Sequence, residues 1–189
     1  MSPKPDSAAE LGAATLRALH TARVKAEIAE ADAMIPGADT VAPRGATFAQ
    51  VVVVKGLPGP AEATGGAALS GPDGEAAIKA LTALGWDADD VFFTLSRPVA
   101  GSQGTGVAKR LRLQIESVDP DLVVAVDAEA AHDVAAALGC ERPAFGEMVL
   151  VDGRRMLACD GLEASLTDPK RKQRVWSQLK QAVPRGPVY

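Results

Sequence analysis

The chain has little sulfur, few rings and no surplus of positive charge, and each shortage removes a class of function. Cysteine occurs twice in 189 residues, at Cys140 and Cys159. Two thiols so placed build neither a disulfide framework nor a C-x-x-C metal knuckle, so small residues in a reducing compartment are expected. Aromatic residues are 4% of the chain, which leaves the core to aliphatic side chains. A formal charge of −4 gives no bulk attraction to nucleic acid or to an anionic membrane. No stretch approaches the roughly 20 apolar residues that cross a bilayer. The opening "MSPKPDSAAELGAATLRALH" has no long apolar run, so no signal peptide is expected and the cytoplasm is the default compartment.

What is present fits one well-cored domain: 47% hydrophobic and 23% charged residues, with no internal repeat or low-complexity tract. Residues 1–6 read as a disordered lead, 7–183 as a single domain and 184–189 as a tail. Alanine-rich sequence from Ser7 to Met34 predicts one or two helices. "FAQVVVVKG" (48–56) predicts a buried strand, continuous and β-branched. A loop crowded with Gly and Pro follows, then a helix over 73–86 with Asp73 as its cap and Gly85 as its stop. Strands at 90–95 and 119–127 alternate with helices at 107–118 and 128–139. "EMVLVDGRRMLACD" (147–160) predicts a hairpin turning at Asp152-Gly153. The last helix, 167–183, carries Pro169 in its first turn behind Thr167 or Asp168.

Strand–helix alternation of this kind predicts a three-layer α/β/α domain with a mostly parallel central sheet. Ligands of such sheets bind beyond the carboxyl ends of the strands, which places a site among loops 55–73, 95–106, 127–129 and 159–167.

Four segments in this order resemble the uracil-DNA glycosylase superfamily, in particular its iron–sulfur branch. The likeness runs from Phe48 to Val183. "KGLPGPAEATGGAALSGPDG" (55–74) is similar to the family's G-E-A-P-G-P loop and the T-G-R-P-F-V-G-P-x-G that follows it. It keeps Pro58, Gly59, Pro60, Gly66, Gly71, Pro72 and Gly74. "DDVFFTLSRP" (89–98) resembles the strand that ends in T-N. "RLQIESVDPDLVVAVDAEAAHDVAAALG" (112–139) resembles the R-x-Q-I helix–strand–helix, and "SLTDPKRKQRVWSQLK" (165–180) the helix after the H-P-S loop.

The resemblance implies a cleft for a flipped base, stacked on a ring and read along its edge by hydrogen bonds. Its chemistry also needs a polar group for the water or sugar cation and a donor for the departing base. Matched residue by residue, the first-loop acid falls on Gly56, the stacking Phe on Leu69, the reading Asn on Leu95 and the loop His on Gly161. All four roles are vacant. The cluster cysteines are absent, so no iron–sulfur cluster, metal or other cofactor is expected.

The expected pocket wall is therefore Gly56, Leu57, Pro58, Gly59, Leu69, Leu95 and Gly161. Replacement catalytic groups would come from Lys55, Glu62, Asp160 or Glu163, with Asp73 and Asp127 also at loop or strand ends. Lys55 could contact a phosphate or form a Schiff base, against the plainer reading of a solvated lysine at a strand end. His132 and His20 read as partly buried helix residues. "GSQGTG" (101–106) lacks the spacing of a phosphate-binding loop. Phosphate contacts would come from Lys170, Arg171, Lys172 and Arg174, with Lys109, Arg110 and Arg112 on another helix; a charged solvent face explains the same residues. Arg154 and Arg155 read as exposed turn residues.

The expectation is a divergent relative without uracil excision that binds DNA, a nucleotide or a protein partner through the former base pocket. Two rivals stand beside it. One is a glycosylase or nucleosidase of altered specificity. The other is a partner-binding subunit whose cleft is closed by Leu57, Leu69 and Leu95.

Overall fold

The central strands of the sheet, VVVVK, VFFTL and LVVA, are buried on both sides, so the sheet has to be covered on both. The computed structural model, which describes residues 8–35, 37, 40–99, 101, 102 and 104–186, shows how. The expected lead, 1–6, lies outside the described residues, as do 187–189 of the tail. The elements run α1 (Ala8–Ala33), β1 (Arg44–Gly45), β2 (Val51–Lys55), α2 (Pro60–Ala63), α3 (Pro72–Ala83) and β3 (Val91–Leu95). They continue α4 (Thr105–Val118), β4 (Leu122–Ala125), α5 (Ala128–Leu138), β5 (Met148–Val151), β6 (Arg154–Ala158), α6 (Leu162–Ser165) and α7 (Pro169–Leu179).

The strand order is β1-β3-β2-β4-β6-β5. β3, β2, β4 and β6 are parallel, and the edge strands β1 and β5 are antiparallel to their neighbours. Side chains alternate across this sheet. Val51 and Val53 join a core with Leu81 of α3 and Val175 and Leu179 of α7. Val52 and Val54 join the opposite core with Val24 of α1, Leu111 and Ile115 of α4 and Val134 of α5. Two covered faces explain why the valine run shows no polar alternation. Each buried valine contributes roughly 1.5–3 kcal/mol, and all four are at most 1% exposed. The fold is α/β with three layers.

The boundaries follow local chemistry. Gly85 (φ +101°) and Gly139 (φ +69°) take the left-handed conformation that ends α3 and α5. Asp152 and Gly153 both have positive φ, as a type I′ hairpin turn demands. Asp168 caps α7 by accepting from the Lys170 and Arg171 amides. One cap differs from expectation: Gly71 precedes α3, Pro72 takes its first position, and Asp73 is instead buried. Arg154 and Arg155 are not free turn residues either, because they pair with Asp119 and Asp121 at 2.6 Å.

After β2 the chain crosses to β3 on one side, and after β3 it returns over β2 to β4 on the other. Connections therefore diverge between β2 and β4, and a crevice opens at their carboxyl ends.

Candidate functional site

That crevice is a cleft of about 550 Å³. Loops after three parallel strands form it: Lys55, Leu57, Pro58 and Gly59 after β2, Asp127 and Glu129 after β4, Gly161 and Glu163 after β6. Asp73 from the start of α3 completes the floor.

Lys55 is the last residue of β2, where the alternation of the strand aims its side chain toward the α3 side. It is not a solvated lysine; it is 4% exposed. Its Nζ lies 2.7 Å from Asp73 Oδ2, 2.7 Å from Glu163 Oε2 and 3.3 Å from Glu62 Oε2. Burial pulls the Lys55 pKa down, but the hydrogen bonds to Asp73 and Glu163 and the charges of Asp73 and Glu62 more than offset it, and the net shift is upward. A lysine so held keeps its proton at neutral pH and offers no amine lone pair for a Schiff base.

The three carboxylates have different surroundings. Glu62 is 4% exposed and fully engaged: one oxygen accepts from Leu69 N at 2.8 Å, the other from Gly59 N at 3.0 Å and from Lys55. It holds the loop in shape. Asp73 is also buried and accepts from Gly74 N. Glu163 differs, with its side chain 44% exposed on the cleft wall. Gly59 is what lets Lys55 and Glu163 meet, since a Cβ there would lie 2.4 Å from Lys55 Nζ and 2.8 Å from Glu163 Oε2.

On the other wall Asp127 caps α5. Its carboxylate accepts from Ala130 N at 2.7 Å and from Gly56 N at 2.8 Å. Burial raises its pKa and Glu129 adds to that, against the lowering effect of the two amides and of Lys55. The cleft thus has acceptors on both sides, and among the described residues no aromatic ring or side-chain amide lines it.

The remaining candidates fall elsewhere. Leu69 and Leu95 do not line the cleft; both belong to the α3/α7 core at 0% and 1% exposure. Leu57, at 42% exposure, sits on the wall without closing it. Gly56 lies beneath the wall, where a Cβ would meet Glu129 Cβ at 2.5 Å. Asp160 turns to α7 and pairs with Arg174 at 3.2 Å. Lys170 and Lys172 are exposed, while half-buried Arg171 passes beside Gly161 at the cleft edge. Arg110 is not a surface cation: it is fully buried, donating to Leu95 O and to Asp32. His132 and His20 are exposed, and His20 stacks on Phe48.

Sequence reasoning missed Glu129, although its place in the first turn of a helix that follows a parallel strand was a usable signal. It also missed Asp133, which joins Ser96 Oγ at 2.7 Å and Arg97 Nε at 2.8 Å just beyond β3. Nothing local marks that network. Among the described residues no group of three or more His, Cys, Asp or Glu side chains is arranged to hold a metal, because the carboxylates converge on an ammonium. No helix among them is long and apolar enough to cross a membrane. No protein-family model matches the chain, and no curated protein matches it.

Proposed function

We propose that the cleft binds a nucleoside or nucleotide and that the chain is a divergent relative of the uracil-DNA glycosylases without uracil excision. The observation that carries this reading is the composition of the wall: an open crevice at the strand ends, offering carboxylates and backbone but neither a stacking ring nor an amide to read a base edge. Asp127, Glu129 and Glu163 suit a ligand that donates, such as ribose hydroxyls or an exocyclic amine. Arg171, beside Gly161, and the exposed Lys170 supply cations at the rim for a phosphate. A polyanionic strand laid through the acidic floor is disfavoured by charge, so a single nucleotide or a strand end fits better than a duplex.

Calorimetric titration with ribonucleosides, their monophosphates and short single-stranded DNA tests this. Binding of a nucleoside or monophosphate that Glu163→Gln weakens by about tenfold, a change of about 1.4 kcal/mol, supports the proposal. Absence of binding across the set overturns it, and so does efficient excision of uracil from DNA.

A second reading rests on Glu163 alone, a half-exposed carboxylate fixed by Lys55 at the edge of an open cleft. Such a group could orient water for hydrolysis of an N-glycosidic bond. Release of free base from nucleosides, abolished in Glu163→Gln, would favour hydrolysis over binding.

A further inference from the structure

α1 has two apolar faces, and among the described residues only one of them is packed. Val24, Ile28 and Ala31 pack into the α4/α5 core, and Asp32 pairs with buried Arg110. The opposite side carries Leu11, Thr15, Leu19, Ala22, Ala26 and Ala29 at spacings of three and four, with Leu16 beside them, and all are exposed. Leu11, Leu16 and Leu19 are 57%, 70% and 63% exposed, so this is no stripe of small residues alone. Every residue from Leu11 to His20 is exposed, and the stacking of His20 on Phe48 is an outer contact with the body. An unsupported helix of about a dozen residues is marginal in water, and three leucines on one side of it need a cover.

We infer that this face of α1 pairs antiparallel with α1 of a second copy of the chain. The stripe is self-complementary by size. Its amino-terminal half holds leucines and its carboxyl-terminal half alanines, so reversing one helix sets large residues against small ones. With Leu19 of each copy opposite Ala22 of the other, Thr15 faces Ala26 and Leu11 falls near Ala29. The flanking charges meet apolar or small residues: on one flank Arg23 comes beside Leu16 and Glu30 beside Gly12, and on the other Lys25 comes beside Ala18. A two-fold axis between residues 20 and 21 makes the contact isologous and closed. A helix about 39 Å long and about 10 Å across presents on the order of 400 Å² in projection, at the low end of specific interfaces. The dimer is accordingly weak and reversible.

Sedimentation over a range from low to several hundred micromolar chain reads the equilibrium directly. The expected result is a monomer–dimer exchange whose dissociation constant rises at least about 100-fold in Leu11→Glu/Leu19→Glu. At concentrations where the wild type is monomeric, circular dichroism of the variant should match it, since neither side chain supports the monomer core. Register is tested in Cys140→Ser chains: a mixture of Leu19→Cys and Ala22→Cys should oxidise to the mixed dimer, while Leu11→Cys alone should not cross-link. A monomer at every concentration overturns the inference. A dimer indifferent to the leucine substitutions, or one linked through Leu11→Cys, also overturns it.

Discussion

Lys55 decides more than any other single residue, because three carboxylates from three separate elements converge on one ammonium. Breaking such a buried group by removing the cation leaves Glu62 and Asp73 with uncompensated charge in a dry place. Lys55→Met should therefore lose about 3–5 kcal/mol in urea denaturation at neutral pH. Acid should restore part of that loss, since protonation discharges a carboxylate deprived of its partner. In the wild type the sign is the same, but the range is alkaline. The folded pKa of Lys55 lies above its unfolded value, so the stability it confers is complete below the ordinary lysine value of about 10.4 and falls as pH rises through the folded value. A stability–pH profile that already declines between neutrality and mildly alkaline conditions, and does so through Lys55, would contradict this account.

Elements meet the site through close approaches that only small residues permit. α3 starts against the loop before it: a Cβ on Gly74 would lie 1.7 Å from Leu69 O, and Leu69 itself sits at φ +50°. Backbone cannot swing aside as a side-chain tip can. Gly74→Ala should cost about 3 kcal/mol, the upper end of overpacking, and should lower the thermal midpoint. Gly59→Ala meets the side-chain ends of Lys55 and Glu163 instead, so its expected signature is different: a smaller cost in folding than Gly74→Ala and a loss of nucleotide binding, because Glu163 must leave Lys55. α5 depends on Asp127, which both caps it and holds the Gly56 amide. Asp127→Ala removes a cap and orphans a second donor, for an expected loss of about 2 kcal/mol in chemical denaturation. The element boundaries were largely legible in advance, because Gly85, Gly139, Asp152-Gly153 and Pro169 are local signals. The short helices α2 and α6 were not. Four residues leave no periodicity, and they form because Gly59 and Gly161 turn the chain against neighbours distant in sequence.

For the whole molecule, the attachment of α1 combines the apolar packing of Val24, Ile28 and Ala31 with a buried ion pair. Arg110 is fully buried, its pKa is pulled down by burial against the opposing charge of Asp32, and Gln114 donates to the same carboxylate at 2.9 Å. Asp32→Ala should destabilise by about 3 kcal/mol, near the lower limit for breaking such a pair since Asp32 is partly exposed. Proteolysis between α1 and β1 should accelerate in parallel. Charge also sets association with nucleic acid. At −4 overall and with an acidic cleft, the chain should bind single-stranded DNA weakly at physiological salt. Its salt dependence should reflect no more than the few cations of the α7 rim. A steep slope in a salt titration would point to a basic track that the structure does not place.

The sequence by itself determined the layers, the parallel strands, the stops of the helices and the end of the sheet where a cleft would open. These depend on periodicity, β-branching and turn residues, which act within a few positions of the chain. Tertiary structure alone decided what the cleft is made of. Leu69 and Leu95, aligned with pocket positions, went into the core because an apolar side chain at a loop or strand end follows the nearest buried surface. Lys55, read as solvated, was buried because Glu62, Asp73 and Glu163, up to 108 residues away along the chain, arrive together around it. Charges separated in sequence have no local signature, and only the fold brings them within reach of one another.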